Sequence, residues 1–218
     1  MLLRQNSTLF SSVRDCTLFS YIHLYVIVTM NLFFINHWLN LLAKEHNDKH
    51  CVKMILEATQ IAYSVHYKRT GVAPTVTTSA PYKLAHKNHP IVLWACRSSA
   101  NYNYVLLYGI HLCIEYSYRY EKVHKCEAHL KGLFFFGFPP LQQPIALPEN
   151  PKPTHFAYLD LPYGLSYIPL CMEEQYFIRD KKGHLLGVAS YRNYVQSKSF
   201  KLTWKKRSVP SWYKVSVE

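Results

Sequence analysis

The sequence has no P-loop, no GxGxxG and no GxSxG, which removes the usual nucleotide-phosphate cradle, the dinucleotide-binding turn and the hydrolase nucleophile elbow. Its six cysteines (Cys16, Cys51, Cys96, Cys113, Cys126 and Cys171) form no CxxC and keep no regular spacing. Several fall on apolar faces of predicted helices, where a thiol behaves as a small hydrophobe, so the pattern fits an intracellular, reducing compartment rather than a secreted disulfide framework. Internal repeats are missing too. Acidic residues are scarce, 13 against 25 Lys and Arg, for a net charge of +12. The apolar stretch Tyr21 to Ile35 is interrupted by His23 and Asn31 and falls short of the roughly 20 residues that span a bilayer. A membrane partner is therefore not expected, although an anchor over residues 17–35 stays open as an alternative.

What is present is one good core's worth of chain: 218 residues, 49% of them hydrophobic. The pattern predicts an all-α, compact single-domain helical fold with a Pro/aromatic-rich irregular insertion. Residues 1–29 do not match the rest of the chain and are read as a leader or an upstream extension, with Met30 as the natural start. The helical domain covers 30–218, and residues 133–168 form the irregular insertion, because the prolines there forbid a long helix while the phenylalanines need burial.

His46 to Val65 organises the rest. At helical spacing, Cys51, Ile55, Ala58, Ala62 and Val65 make an apolar face, with Met54 and Ile61 beside them; His46, His50, Lys53, Glu57 and Gln60 fall on the other. Two imidazoles, an ammonium and a carboxylate can move protons, yet Lys53 and Glu57 at i and i+4 are equally an ordinary surface ion pair. His46 and His50 stand one turn apart, but no acidic or Cys partner sits at ligand spacing, so no metal is expected. Tyr67 to Ala80 reads as a loop. Pro90 suits a first helical position capped by Asn88 or His89. A second long helix is predicted over Ala100 to Lys122, with Leu106, Leu107, Ile110, Cys113 and Ile114 inward and Tyr104, Tyr108, His111, Glu115 and Tyr118 on the other stripe. Packed side by side, the two long helices would bring Glu57 and Glu115 to the core boundary with perturbed pKa values; Glu115 paired with Arg119 is the plainer outcome. A third helix is expected over Val188 to Lys206, ended by Pro210.

The last forty residues hold ten basic and two acidic side chains, a net +8, interleaved with Tyr191, Tyr194, Trp204, Trp212 and Tyr213. Cations alternating with aromatics suit a surface that follows a phosphate backbone and stacks on bases. A merely basic tail carries the same composition.

The order of several motifs resembles a known family. An opening MNLFFIN, Asp48-x-His50 with Glu57 seven residues after the histidine, Asn88-His89-Pro90 opening a central helix pair, and a C-terminal KRSVPSWYK resemble the phage pyrimidine-dimer DNA glycosylases of the endonuclease V type. The stretches DKHCVKMILE, NHPIVLWACRSSANYNYVLLY, EYSYRYEKVHK, ASYRNY and KKRSVPSWY are similar to proteins of large DNA phages and giant viruses, over most of residues 30–130 and 169–214. The resemblance implies a compact helical enzyme that everts a base, attacks sugar C1′ with its N-terminal α-amine and handles protons with a glutamate on the first long helix. Carried over, Glu57 takes the carboxylate role, His50 matches the family's histidine, and Trp212-Tyr213-Lys214 matches its DNA-facing segment. It further implies DNA as partner, no small-molecule cofactor, a monomer, and the cytoplasm, nucleus or viral factory as location. Two departures stand out: Asn31 occupies the place of the family's threonine after the initiator Met, and Lys53 and Leu56 replace arginines flanking the glutamate. Lys53, one turn before Glu57, is itself a candidate Schiff-base amine.

The expected catalytic set is thus Glu57, His50, Lys53 and Asn31, and the expected DNA-contacting set is His89, Arg192, Lys198, Lys205, Lys206, Arg207, Trp212, Tyr213 and Lys214. A non-enzymatic basic nucleic-acid-binding protein is the competing expectation.

Overall fold

A computed structural model describes residues 30–142, 156–157, 164–198 and 202–214. The proposed leader and most of the 133–168 insertion lie outside these. The fold is all-α: α1 Leu39–Glu45, α2 Asp48–Thr70, α3 Pro90–Ala95, α4 Ser99–Tyr120, α5 Glu127–Phe136 and α6 Gly187–Gln196, with one antiparallel ladder in which Phe156 faces Pro169 and Ala157 faces Ile168.

Local chemistry sets the helix ends. The Asn47 side chain accepts the His50 N–H at the start of α2, and Gly71 ends it in the left-handed region at φ 82°, a conformation glycine adopts without a Cβ penalty. Pro90 opens α3 with His89 Nδ1 accepting from the Ile91 amide, as the sequence suggested, and Ser98 caps α4. α2 runs to Thr70, beyond the predicted loop start at Tyr67, because the strong break is Gly71 itself.

α2 lies at the centre and packs against α3, α4 and α5. The approach to α4 is close at Gly109, where a Cβ would stand 3.2 Å from Ala58 Cβ and 2.8 Å from Leu130 Cδ1. The supposed polar face of α2 is partly enclosed as well: His50 and Glu57 are buried along with Cys51, Ile55, Ala58 and Val65, while Lys53 stays exposed. His46 precedes α2 and is the C-cap of α1. What covers that face is the extended segment 30–35, whose Met30, Leu32, Phe33, Phe34 and Ile35 are all buried. The anchor alternative thus loses its final third, since these residues sit in the protein core; no described helix is long and apolar enough to cross a membrane.

Three other expectations are corrected. On α4 the stripes are partly exchanged: Tyr104, Tyr108 and Glu115 are buried, while Ile114 is 61% exposed. The Tyr108 hydroxyl bonds His46 Nε2, and a tyrosine whose hydroxyl finds a partner can go inside as readily as an aliphatic, so polarity alone misplaces this face. The insertion does not begin at 133, because α5 continues through Leu133 to Phe136 and stops at Gly137. Nor does the last helix reach Lys206. α6 ends at Gln196, and residues 202–214 form an irregular strap, stretched over α1 and the start of α2.

The strap is fixed by a buried ionic knot. Arg119, fully buried, donates Nε to Glu115 Oε1 at 2.7 Å, Nη1 to Asp48 Oδ1 at 3.0 Å and Nη2 to the Lys44 carbonyl at 2.9 Å. Glu115 also receives Arg207 through Nε and Nη2 at 2.9 and 2.8 Å, a two-pronged contact. Asp48 accepts the Lys205 amide, and Trp204 Nε1 donates to the Glu45 carbonyl at 2.8 Å. Arg119→Ala would leave two carboxylates facing a vacated buried site. It is expected to lower the unfolding free energy by about 3–5 kcal/mol, read from urea denaturation; a loss below about 1 kcal/mol would mean the knot behaves as a solvated surface pair.

Candidate functional site

Glu57 lies where the 30–35 segment crosses α2. Its Oε2 accepts the main-chain N–H of Asn31, and its Oε1 stands 3.2 Å from Lys53 Nζ. That second contact is an ion pair without aligned hydrogen-bond geometry, so Oε1 is a buried acceptor with unfilled capacity. Burial raises the Glu57 pKa; the Asn31 amide and the Lys53 ammonium pull part of it back. A carboxyl held above its usual range takes up a proton more readily than a solvated one.

Asn31 is held from both ends of its side chain. Its Nδ2 donates to the Cys171 carbonyl at 2.8 Å, and its Oδ1 accepts from Tyr191 Oη on α6 at 3.0 Å and from the Leu32 amide. Two segments distant in sequence thereby aim one main-chain nitrogen at one carboxylate. Nothing in the sequence links Tyr191 or Cys171 to Asn31.

The two histidines are structural in their contacts. His46 Nδ1 donates to the Leu42 carbonyl and its Nε2 accepts from Tyr108 Oη, which in turn accepts the Phe33 amide. That chain fixes a neutral tautomer, and burial holds the His46 pKa down at about 4. His50 stacks on Phe33 with ring centroids 4.3 Å apart and takes a hydrogen bond from Asn47 Nδ2 on its Nδ1. Burial, then electrostatic interaction with His46 and with the ammonium groups of Lys198, Lys53 and Lys49, pushes its pKa down to about 3. Seven residues of helix separate His50 from Glu57, about 10 Å at 1.5 Å per residue, so the imidazole is a neighbour of the site and not in hydrogen-bond reach of the carboxylate.

Around His50 an aromatic wall continues outward. Phe33 stacks on Tyr194, Tyr194 meets Tyr176 at 5.0 Å, and Lys198 Nζ lies 3.6 Å over the Tyr194 ring. The structure therefore gathers Asn31, Lys53 and Glu57, with His50 and Lys198 beside them. The remaining predicted DNA contacts are spread out and largely engaged. His89 caps α3, at the other end of the helical array. Arg192 donates to the Ile35 carbonyl and pairs with Glu45, whose Oε2 also accepts Trp212 Nε1. Arg207 clamps Glu115, Lys206 pairs with Glu121, Lys205 leans on the Tyr120 ring, Tyr213 packs on Trp204, and the Lys214 backbone bonds Gln196. Much of the positive charge of the tail thus ties the strap down.

Among the described residues, no group of three His, Cys, Asp or Glu side chains could hold a metal ion. No protein-family model matches the chain, and neither does any curated protein or solved structure compared with it. The functional reading therefore stands on the geometry and on the motif resemblance alone.

The neutral imidazoles have a consequence for stability. His46, His50, His66 and His89 all have folded-state pKa values depressed from 6.5 to about 3 or 4, mainly by burial. Between those limits the unfolded chain binds protons that the folded chain refuses, so stability is intact above about pH 6.5 and drains away as pH falls toward 4. Glu57, with its raised pKa, works in the opposite sense, but these imidazoles outnumber it. The melting temperature is expected to fall steadily between about pH 6.5 and about pH 4; a flat profile would contradict enclosure of these rings.

Proposed function

We propose that this protein is a DNA repair glycosylase with associated lyase activity, acting on damaged pyrimidines in DNA. One observation carries the reading: a buried carboxylate, Glu57, flanked by two nitrogens, the Asn31 main-chain N and the Lys53 ammonium. An amine attacks sugar C1′ as the damaged base departs, the carboxylate offsets the positive charge that develops on the sugar, and the same carboxyl passes protons as the Schiff base forms and collapses. The base must leave the stack for this to occur. Lys49, Lys53 and Lys198, whose charges act together on His50, supply positive potential on the same side, suited to a phosphate backbone.

The competing reading, a basic nucleic-acid-binding protein without chemistry, draws support from the near-complete burial of Glu57, 4% exposed, and from the simple i,i+4 spacing of its pair with Lys53. The two part on Glu57→Gln. For the enzyme, duplexes carrying an abasic site or a thymine dimer are cut by the parent protein, and the variant loses at least about 100-fold in cleavage while its affinity stays within about threefold. Binding with a steep salt dependence and no cleavage by protein starting at Met1 or at Met30 would favour the non-enzymatic reading.

A further inference from the structure

Tyr63 lies six residues beyond Glu57 on α2, about 9 Å along the axis and about 120° around it, so its hydroxyl serves a different face of the helix. It bonds His129 Nδ1 on α5 at 2.7 Å. Here the segment that precedes α3 packs against α5 and leaves a cleft of about 400 Å³, lined by Tyr82, Lys83, Lys125 and His129 together with residues 79–81. None of these residues takes part in the contacts around Glu57.

The walls of the cleft are set by packing. Gly132 on α5 lets Val76 come so near that a Cβ on the glycine would stand 2.8 Å from the Val76 carbonyl oxygen. Farther along, Ser64 Oγ donates to the Ala85 carbonyl at 3.0 Å and accepts the Ala85 amide at 3.2 Å. Residues 76–85 are thereby pinned at both ends. Between the pins, the Tyr82 hydroxyl meets Cys126 Sγ at 3.2 Å and its ring stands edge to face on His129, with centroids 5.2 Å apart. A ligand that enters such a cleft does not have to order its walls.

The lining carries charge of one sign. Lys83 and Lys125 are exposed, neither is in an ion pair among the described residues, and no carboxylate lines the cleft. The acid nearest in sequence to Lys125, Glu127, is engaged by Lys131. His129 is buried, and with Nδ1 bonded to Tyr63 its Nε2 is the ring nitrogen left for a ligand. Burial lowers the His129 pKa, so the ring is neutral near pH 7 and adds a dipole, not a third charge. Two ammonium groups call for a dianion, and a phosphate monoester carries about 1.5 to 2 negative charges near pH 7 together with three strong acceptor oxygens. A carboxylate or a backbone phosphodiester, with one charge, would leave one lysine unbalanced. We propose that this cleft binds a phosphate monoester, with Lys83 and Lys125 balancing its charge and His129 Nε2 bonding one of its oxygens. The site is separate from the chemistry proposed at Glu57 and does not depend on it. The monoester has two possible sources, a free small molecule or the 5′-terminal phosphate of a DNA strand.

Calorimetric titration of the full chain tests this. Inorganic phosphate and thymidine 5′-monophosphate are expected to bind one to one with a dissociation constant at or below about 1 mM, while acetate at the same ionic strength does not bind. The protein carrying both Lys83→Gln and Lys125→Gln is expected to melt like the parent and to lose at least about 10-fold in affinity for both phosphate compounds; Lys181→Gln with Lys182→Gln, on an exposed turn, binds like the parent. A 5′-phosphorylated duplex binding at least about 10-fold more tightly than its 5′-hydroxyl counterpart, with the gain lost in the Lys83→Gln, Lys125→Gln protein, would assign the monoester to a strand end. Equal affinity for the two duplexes, with phosphate binding intact, would assign it to a free small molecule. No binding of either phosphate compound at about 10 mM, or equal binding by the Lys83→Gln, Lys125→Gln protein, would overturn the proposal.

Discussion

A guanidinium with no access to water has to find acceptors for its N–H groups or unfold the protein around it. Arg119 finds them on three different elements: Glu115 on its own helix, Asp48 at the first turn of α2, and the last-turn carbonyl of Lys44 in α1. Because Glu115 and Asp48 carry two negative charges against its one positive charge, the knot has room for a second cation, and Arg207 fills it. Neutralising the cluster therefore requires the C-terminal strap to lie across α1 and the start of α2. The strap in turn covers Glu45 with Trp204 and Trp212, and Glu45 holds Asn36 and Arg192. The extended 30–35 segment is thereby fixed at its far end, and Asn31 is fixed at its near end by Tyr191 and Cys171. The geometry at Glu57 depends on both anchorages.

Local signals were legible where one residue decides the outcome by its own backbone chemistry. Pro90 with His89 marks a helix start that the structure reproduces, and the apolar row Cys51, Ile55, Ala58, Ala62 and Val65 is buried as its spacing indicates. The sequence was less informative where burial depends on what the rest of the chain supplies. How deeply His46, His50 and Glu57 are buried was not legible, because nothing in α2 says that residues 30–35 will lie over them. Tyr104 and Tyr108 read as outward-facing because the hydroxyl partner that makes Tyr108 affordable inside, His46, is 62 residues away. The tail shows the same limit: the sequence does not reveal that buried Glu115 pairs with Arg207 and partly exposed Glu45 with Arg192.

At the site, the carboxylate and its lysine were visible as a spacing of four; that the spacing joins an enclosed group to an open one was not. An i,i+4 pair on a solvated face has two exchangeable partners and contributes a few tenths of a kcal/mol. Here the helix is rotated so that Glu57 points under the extended segment while Lys53, one turn earlier, stays at the rim. The asymmetry changes the chemistry available to the pair, because burial raises the Glu57 pKa.

That asymmetry also bears on why Asn31 should be where it is. Leaving a buried carboxylate with one oxygen unserved costs more than a single hydrogen bond returns, so the Asn31 amide at Oε2 is what allows Glu57 to be buried while Oε1 keeps unfilled capacity. Were Asn31 only a structural donor, any residue with a main-chain N–H would serve and its side chain would be free to vary. Its amide group is instead bonded to Cys171, Tyr191 and Leu32, so both its own nitrogen and the orientation of that nitrogen are specified. The result is a buried carboxylate held on one side by a fixed neutral donor and faced on the other by a lysine one turn earlier.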